Sequence, residues 1–429
     1  MEDFTTLDNA AHAAENPSEK VRIYKEITKR AQVDPDFRST VDHCRFMDST
    51  RAFADLLAKE PKSPGLKIAI LGYKVPLVGK WDPFDTAKGL PGSEECAVYA
   101  SQELSARGHH VTVYMDPPDE SIWQSPFSNP RWLPEDLFHE RARKHKDYYD
   151  LLLMWRRGDI DTGRKRSKIV FFWPHDSPVC PPGVICPKFD GVCILSEHHR
   201  KQFRALLRGF DAIPYSICGN GIVPEQFTEP MSFTNPYSIG YFSNYARGLA
   251  GLIFIWPDIK AEFPDATLSI CYGRETWNTM TAKELQALVN KIEKYKDLGV
   301  TEHGKVGHLE LASIMQRTSV WAYPANIQGE AETFCITATK CQASGCIPVT
   351  TRIGALNETV HPDAPSSPNI VGKKTLQEYK EVLLQTLRRI RSSTREELEQ
   401  ERLKYRTFAL QWCWSSCIDK WLELYNRVK

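Results

Sequence analysis

The sequence predicts an α/β protein of two lobes, each a parallel sheet with helices on both faces, and the two facing one another across a cleft. Three observations carry this. The chain has 429 residues, more than one hydrophobic core usually covers, so two domains are expected. Short apolar runs alternate with helix-length stretches, the pattern of βα units. That alternation runs twice, with a polar pause at 224–236 between the two series.

Residues 1–64 lack the alternation. They read as a polar tail followed by helices at 19–31 and 49–59, closed by Pro61 and Pro64. The first series opens at 66–71 (LKIAIL), continuously apolar like a strand buried on both faces. A loop with glycine and proline leads into a helix ending near Gly108, and glycine is the expected residue just past a helix C-terminus. Further strands are expected at 110–115, 149–155, 169–173 and 191–195, with a helix at 197–207 directly after the last. The second series gives strands at 238–242, 267–272, 320–323 and 346–350. Helices are expected at 248–263, 281–295, 309–317 and 334–344. A boundary at the pause makes 65–232 the first lobe and 233–395 the second. Trp414, Ile418, Trp421 and Tyr425 share one helical face, so 396–429 reads as helices packing back on the first lobe.

Composition narrows the function classes. Hydrophobic residues are 41% and charged residues 25%, ordinary for a globular chain. The net charge of +1 gives no global field for nucleic acid or an anionic membrane. The basic run Arg156, Arg157, Arg164, Lys165, Arg166, Lys168 reads as a solvated loop. The 12 cysteines form no C-x-x-C pair and no zinc-finger spacing, so free, mostly buried thiols are expected. The polar, acidic N-terminus is unlike a secretory signal, and no apolar run reaches the roughly 18 residues of a membrane span. A cytoplasmic location is expected, with peripheral membrane contact left open.

Candidate chemistry falls in four places. Gly89 and Gly92, in KGLPGSEE, precede the first-lobe helix. That arrangement fits either an ordinary turn or an anion site at a helix N-terminus. No G-x-G-x-x-G fingerprint occurs, which argues against a nicotinamide enzyme. His175 and Asp176 follow a strand end, where ligands bind in open α/β sheets. His175 could bond a ligand oxygen or move a proton, or simply sit at a proline turn. In FSNYARGL, Arg247 either projects into the cleft to meet a diphosphate or lies on the surface. In 321–349, Glu330 and Glu332 precede a helix near Phe334. The amides of Thr333, Phe334, Cys335 and Ile336 would there meet a phosphate. Glu332 could accept bonds from sugar hydroxyls or merely complement the helix dipole.

Together these motifs resemble the retaining GT-B glycosyltransferases, in particular the broad family 4-like group. The stretch E-T-F-C-I-T-A-T-K-C-Q-A-S-G-C-I-P-V from Glu332 resembles that family's E-x-F-G-[IL]-x-x-x-E-A-x-A-x-G-x-P-V. Gly354, Ala355, Leu356 and Glu358 resemble the G-[GA]-x-x-E that follows. Residues 243–249 resemble the diphosphate loop, 89–95 the first-lobe glycine loop, and His175-Asp176 the cleft histidine. The resemblance implies a GT-B fold with a C-terminal crossover helix. It implies hexose transfer from a nucleotide-diphosphate sugar to a glycan or other hydroxyl acceptor, with retention of configuration. The leaving phosphate would take the acceptor's proton, with no obligatory metal and no cofactor beyond the sugar nucleotide. His175 and Glu332 would serve at the reacting sugar. Gly92, Arg247, Thr333, Phe334, Cys335, Ile336 and Lys340 would hold the donor. A related epimerase, a sugar-phosphate synthase and a silent sugar-nucleotide-binding protein are the alternatives.

Two departures stand out. Lys340 replaces the signature's second glutamate, which usually binds ribose hydroxyls, and an ammonium cannot accept a hydrogen bond. It could donate to the ribose or to a phosphate on the ribose, pair with a carboxylate or lie solvated. Restoring glutamate there is expected to leave nucleotide binding equal or tighter. Cys335 replaces the glycine of the turn.

Overall fold

The apolar runs become strands of two parallel sheets. The structure is a computed structural model. It describes residues 65–72, 81–84, 86–115, 129–135, 138, 149–156, 166–229, 231, 234–274, 279–326 and 332–429, with scattered positions between 6 and 30. The helix expected at 19–31 is met only at Ile23, Glu26 and Arg30, which are helical; the one at 49–59 lies outside the described residues, as does Glu330.

The first sheet contains β1 (Lys67–Leu71), β2 (His110–Met115), β3 (Arg131–Pro134), β4 (Tyr149–Trp155), β5 (Ser167–Trp173), β7 (Gly191–Ile194) and β9 (Tyr215–Ile217). Their order is β3-β2-β1-β4-β5-β7-β9, with every pair parallel. Val184–Ile185 (β6) and Leu207–Arg208 (β8) form a separate small ladder. Among the described residues the helices of this lobe include α1 (Gly92–Ala106) and α2 (Glu197–Leu206), and Glu135 and Phe138 are also helical. Strands such as β4 (YDLLLMW) are buried along nearly their whole length, as a sheet covered on both faces requires.

The second sheet has the order β12-β11-β10-β13-β14-β15, also parallel. Its strands are β10 (Ser238–Tyr241), β11 (Thr267–Cys271), β12 (Val300–Gly304), β13 (Val320–Tyr323), β14 (Ile347–Thr351) and β15 (Ser366–Ser367). Its helices are α3 (Leu249–Glu262), α4 (Ala282–Lys294), α5 (His308–Gln316), α6 (Ile336–Ala343), α7 (Leu356–Thr359), α8 (Lys373–Ser392) and α9 (Arg395–Ala409). In both sheets the strand order reverses beside the first strand, between β1 and β4 and between β10 and β13. Ligands of open α/β sheets bind at the carboxyl ends of strands flanking such a switch point.

The last helix, α10 (Trp414–Val428), leaves the second lobe. Leu398, Tyr405 and Ala409 of α9 belong to the core around β10 and β13. Trp414, Cys417, Ile418, Trp421 and Leu424 instead join the core of β1, β4, β5 and α1. Trp421 meets Trp173 edge-on with ring centroids 4.6 Å apart, a geometry favoured by the ring quadrupoles. The chain thus crosses back at Leu410–Trp412, later than residue 396. Leu410–Trp412 is also where Ile222 N–H donates to the Trp412 carbonyl at 2.8 Å.

The basic run is not a uniform solvated loop. Arg166 is buried, its guanidinium lying 4.8 Å over the Phe138 ring. Arg156 packs over Trp155, and Lys168 is exposed and pairs with Asp150 at 2.6 Å. Arg157, Arg164 and Lys165 lie outside the described residues. The cysteines among the described residues are free and most are buried.

Candidate active site

The second-lobe half of the site is set by the turns after β10 and β13. Tyr241 Oη donates to the Asn244 carbonyl at 2.6 Å, and Asn244 Oδ1 accepts from the Ala246 amide at 2.9 Å. These bonds fix the 3-10 turn Tyr245–Arg247. Gly248 follows with φ +116°, and a Cβ there would lie 2.0 Å from the Pro324 carbonyl oxygen, so only glycine fits. The turn directs Arg247 onto Glu332, with Nη1 donating to Oε1 at 2.7 Å. Tyr323 Oη, at the end of β13, donates to the same carboxylate oxygen at 2.6 Å. Glu332 is buried, while about a third of the Arg247 side chain stays exposed (33%). The neighbouring carboxylate raises the Arg247 pKa against the opposing effect of burial, so the guanidinium is charged at any working pH. Burial, reinforced by Glu332, pushes the Tyr323 phenol far up.

Thr333, Phe334, Cys335 and Ile336 lead into α6, which opens without a side-chain cap. The Thr333 carbonyl accepts from Ser196 Oγ at 2.7 Å, and Thr333 Oγ1 donates to the His175 carbonyl at 3.3 Å. The Phe334 ring is buried edge-on against Trp412, centroids 5.2 Å apart, so the ring is committed to packing. Cys335 adopts φ +66°; among the described residues only Arg156 shares a positive φ without being glycine. A left-handed side-chain residue costs about 1–2 kcal/mol. Cys335→Gly is therefore expected to stabilise the fold by about 1 kcal/mol, read as a higher urea midpoint at unchanged slope. A lower midpoint would show that the thiol's packing beside Glu332 outweighs the backbone strain.

The first lobe closes over this turn. A Cβ built on Gly92 would lie 3.3 Å from Ile336 Cγ2, and one on Gly89, whose φ is +73°, would lie 2.4 Å from the Val306 carbonyl oxygen. Glu358, on α7, accepts from the amides of Glu197 and His198 at 2.7 and 2.8 Å, capping α2 from the other lobe. Lys340 is buried and its Nζ lies 2.7 Å from the Glu95 carboxylate on α1. His308 Nε2 is 3.3 Å from Glu95 and accepts from the Leu90 amide at 3.2 Å. Its Nδ1 is then the protonated nitrogen and donates to Tyr99 Oη at 2.7 Å. Burial holds the His308 pKa down, with Glu95 opposing. Of the three fates open to Lys340, pairing with a carboxylate is the one observed, across the lobe boundary.

His175 lies two residues beyond the end of β5. Its ring is buried between Trp155 and Trp173, centroids 5.7 and 4.6 Å away. Burial, aided by Arg156 and then His199, drives its pKa well below the usual histidine value, so the imidazole is neutral. Nε2 has no hydrogen-bond partner. Two neighbours were not legible as site residues. Glu94 resembles a carboxylate complementing a helix start, and Arg156 lay inside a basic run.

Two doubly wound parallel sheets, with strand ends facing across a cleft and a terminal helix crossing back, constitute the GT-B fold. A glycosyltransferase from Rickettsia africae is similar, with TM-score 0.59, 12% identity, and 84% of this chain and 98% of that chain covered. Sucrose-phosphate synthase from Thermosynechococcus elongatus is similar at TM-score 0.57 and 16% identity, over 84% of this chain and 99% of that one. HepE from Anabaena, in complex with UDP, is similar at TM-score 0.57 and 13% identity, over 84% and 100%. No protein-family model matches the sequence, and no curated protein matches it in sequence. Among the described residues no helix is long and apolar enough to cross a membrane.

Proposed function

We propose that the protein is a glycosyltransferase moving a hexose from a nucleotide-diphosphate sugar to a hydroxyl acceptor, with retention of configuration. The observation that carries this is the Glu332–Arg247 pair before the uncapped start of α6, where Thr333 bonds the His175 backbone of the other lobe. A carboxylate that accepts from hydroxyls, a guanidinium and helix-terminal amides for phosphate oxygens, and a neutral imidazole suit a sugar diphosphate. HepE, which shares the fold, was solved with UDP. In the reaction the bond from the anomeric carbon to the phosphate oxygen breaks and one to the acceptor oxygen forms. The acceptor's proton passes to the leaving phosphate. Arg247 and the α6 amides stabilise the charge that develops there.

The protein is proposed to work in the cytoplasm and without a metal. On this reading Arg247 and the α6 start carry the charge compensation. Glu332→Gln is expected to keep the fold and lower turnover at least about tenfold, roughly 1.4 kcal/mol in the barrier. The measurement is sugar transfer from UDP-, GDP-, ADP- and dTDP-sugars, with and without EDTA. Unchanged kinetics in the variant would remove Glu332 from the mechanism. Loss of transfer in EDTA, restored by Mg²⁺ or Mn²⁺, would overturn the metal-free reading.

A further inference from the structure

The turn that carries Glu332 is held through its backbone from both lobes. On the second lobe, the Ala355 amide donates to the Glu332 carbonyl at 2.9 Å. Gly354, at φ +54°, approaches so closely that a Cβ there would lie 2.8 Å from the same carbonyl oxygen, which leaves no room for a side chain. On the first lobe, Ser196 Oγ donates to the carbonyl of the next residue, Thr333, at 2.7 Å. Ser196 is buried and is also the N-cap of α2, its Oγ accepting from the His199 amide at 3.0 Å. One hydroxyl therefore starts a helix on one lobe and fixes a turn on the other.

Glu358 closes the circuit. It lies on α7, which Ala355 opens, and its two carboxylate oxygens accept from the amides of Glu197 and His198. These are two of the N–H groups that a helix start leaves without an intrahelical partner, and the helix dipole favours a carboxylate there. The acid that α2 itself supplies, Glu197, is paired with Arg200 at 2.7 Å. The bonds thus run in a ring: from Glu332 to Ala355, along α7 to Glu358, across to α2, and through Ser196 back to Thr333. This grip is separate from the Lys340–Glu95 pair, which ties the body of α6 to α1.

We propose that Ser196 and Glu358 are positioning residues: through the first turn of α2 they set the backbone of Glu332 and Thr333, and with it the place of the Glu332 carboxylate. The proposal rests on the glycosyl-transfer reading for what Glu332 then does, whereas the hold on the turn stands apart from it. Arg247 and Tyr323 anchor the carboxylate end of Glu332; the ring anchors its backbone end. Removing the Ser196 hydroxyl frees the turn to shift against the first lobe, and a misplacement of about 1 Å can cost roughly a hundredfold in rate.

Ser196→Ala, Ser196→Thr and Glu358→Gln are compared with the wild type, each checked for a native thermal transition. Hydrogen exchange read by mass spectrometry reports on the turn without requiring activity. The buried Ala355 amide, across the ring from Ser196, is expected to exchange about tenfold faster in Ser196→Ala and Glu358→Gln, with β4 protected as in the wild type. Ser196→Thr keeps the hydroxyl and is expected to restore the protection. Turnover of UDP-, GDP-, ADP- or dTDP-glucose, whichever the wild type uses fastest, is expected to fall about tenfold in Ser196→Ala and in Glu358→Gln. Combined with Glu332→Gln, either substitution is expected to cost less than about twofold more, because it acts through that side chain. Unchanged exchange at Ala355, unchanged turnover in both single variants, or losses that multiply with that of Glu332→Gln overturn the proposal. Faster exchange at Ala355 in a protein whose wild type turns over none of the four donors overturns the transferase reading and leaves the hold on the turn standing.

Discussion

Lys340→Glu is expected to destabilise the protein by about 3–5 kcal/mol, the usual cost of breaking a buried pair and leaving a charge uncompensated. The thermal midpoint should fall by on the order of 10 °C. Lys340 Nζ and the Glu95 carboxylate are 2.7 Å apart, each side chain less than a tenth exposed, and Leu90 and Tyr99 hold His308 against them. A glutamate at 340 would set two carboxylates together in that space. Lys340 is committed to Glu95 rather than to a ribose, so a glutamate at this position meets the Glu95 carboxylate first. The double variant Glu95→Gln with Lys340→Met is expected to recover most of the loss, since it removes both charges. Thermal unfolding of the single and double variants checks this. A single variant as stable as the wild type would show that the lobes hold without the pair.

Arg247→Ala is expected to weaken binding of nucleotide diphosphates about 10- to 100-fold, or 1.4–2.8 kcal/mol, the range for a charge-assisted bond to phosphate. The deletion also leaves the buried Glu332 carboxylate with the Tyr323 hydroxyl and the Cys335 thiol as side-chain donors and no cation beside it. Arg247→Lys keeps the charge but loses the fork that spans two oxygens, so an intermediate affinity is expected. Calorimetric titration with UDP, GDP and ADP measures both. Wild-type affinity in the alanine variant would place the diphosphate elsewhere.

The parts of this fold that were legible in the sequence are those governed by local pattern. LKIAIL and YDLLLMW are continuously apolar and became central strands. β12 reads VTEHG, with alternate residues exposed at a sheet edge, and carried too little apolar signal to be recognised. The helix start near Phe334 lies within two residues of the observed Ile336. The ring of Phe334, by contrast, is spent on Trp412, a contact no local pattern encodes. Lys340 and Glu95 are 245 residues apart in the chain, so nothing near either of them identifies its partner. Glu94 and Arg156 were hidden for the same reason: an acidic helix start and a basic run are common on solvated surfaces, and only the tertiary structure buries these two together.

The crossing of α10 also bears on how the protein is made. Domains generally fold as units in the order in which they leave the ribosome. Here the first lobe emerges with the face that will receive Trp414, Ile418 and Trp421 still bare, because those side chains complete its core from the far end of the sequence. Until the last helix has cleared the exit tunnel, a nascent first lobe presents an aromatic surface around Trp173 that a chaperone can shield and another nascent chain can capture. Shortening the protein from its C-terminal end would leave every strand of both sheets in place, yet it would make that transient hazard permanent.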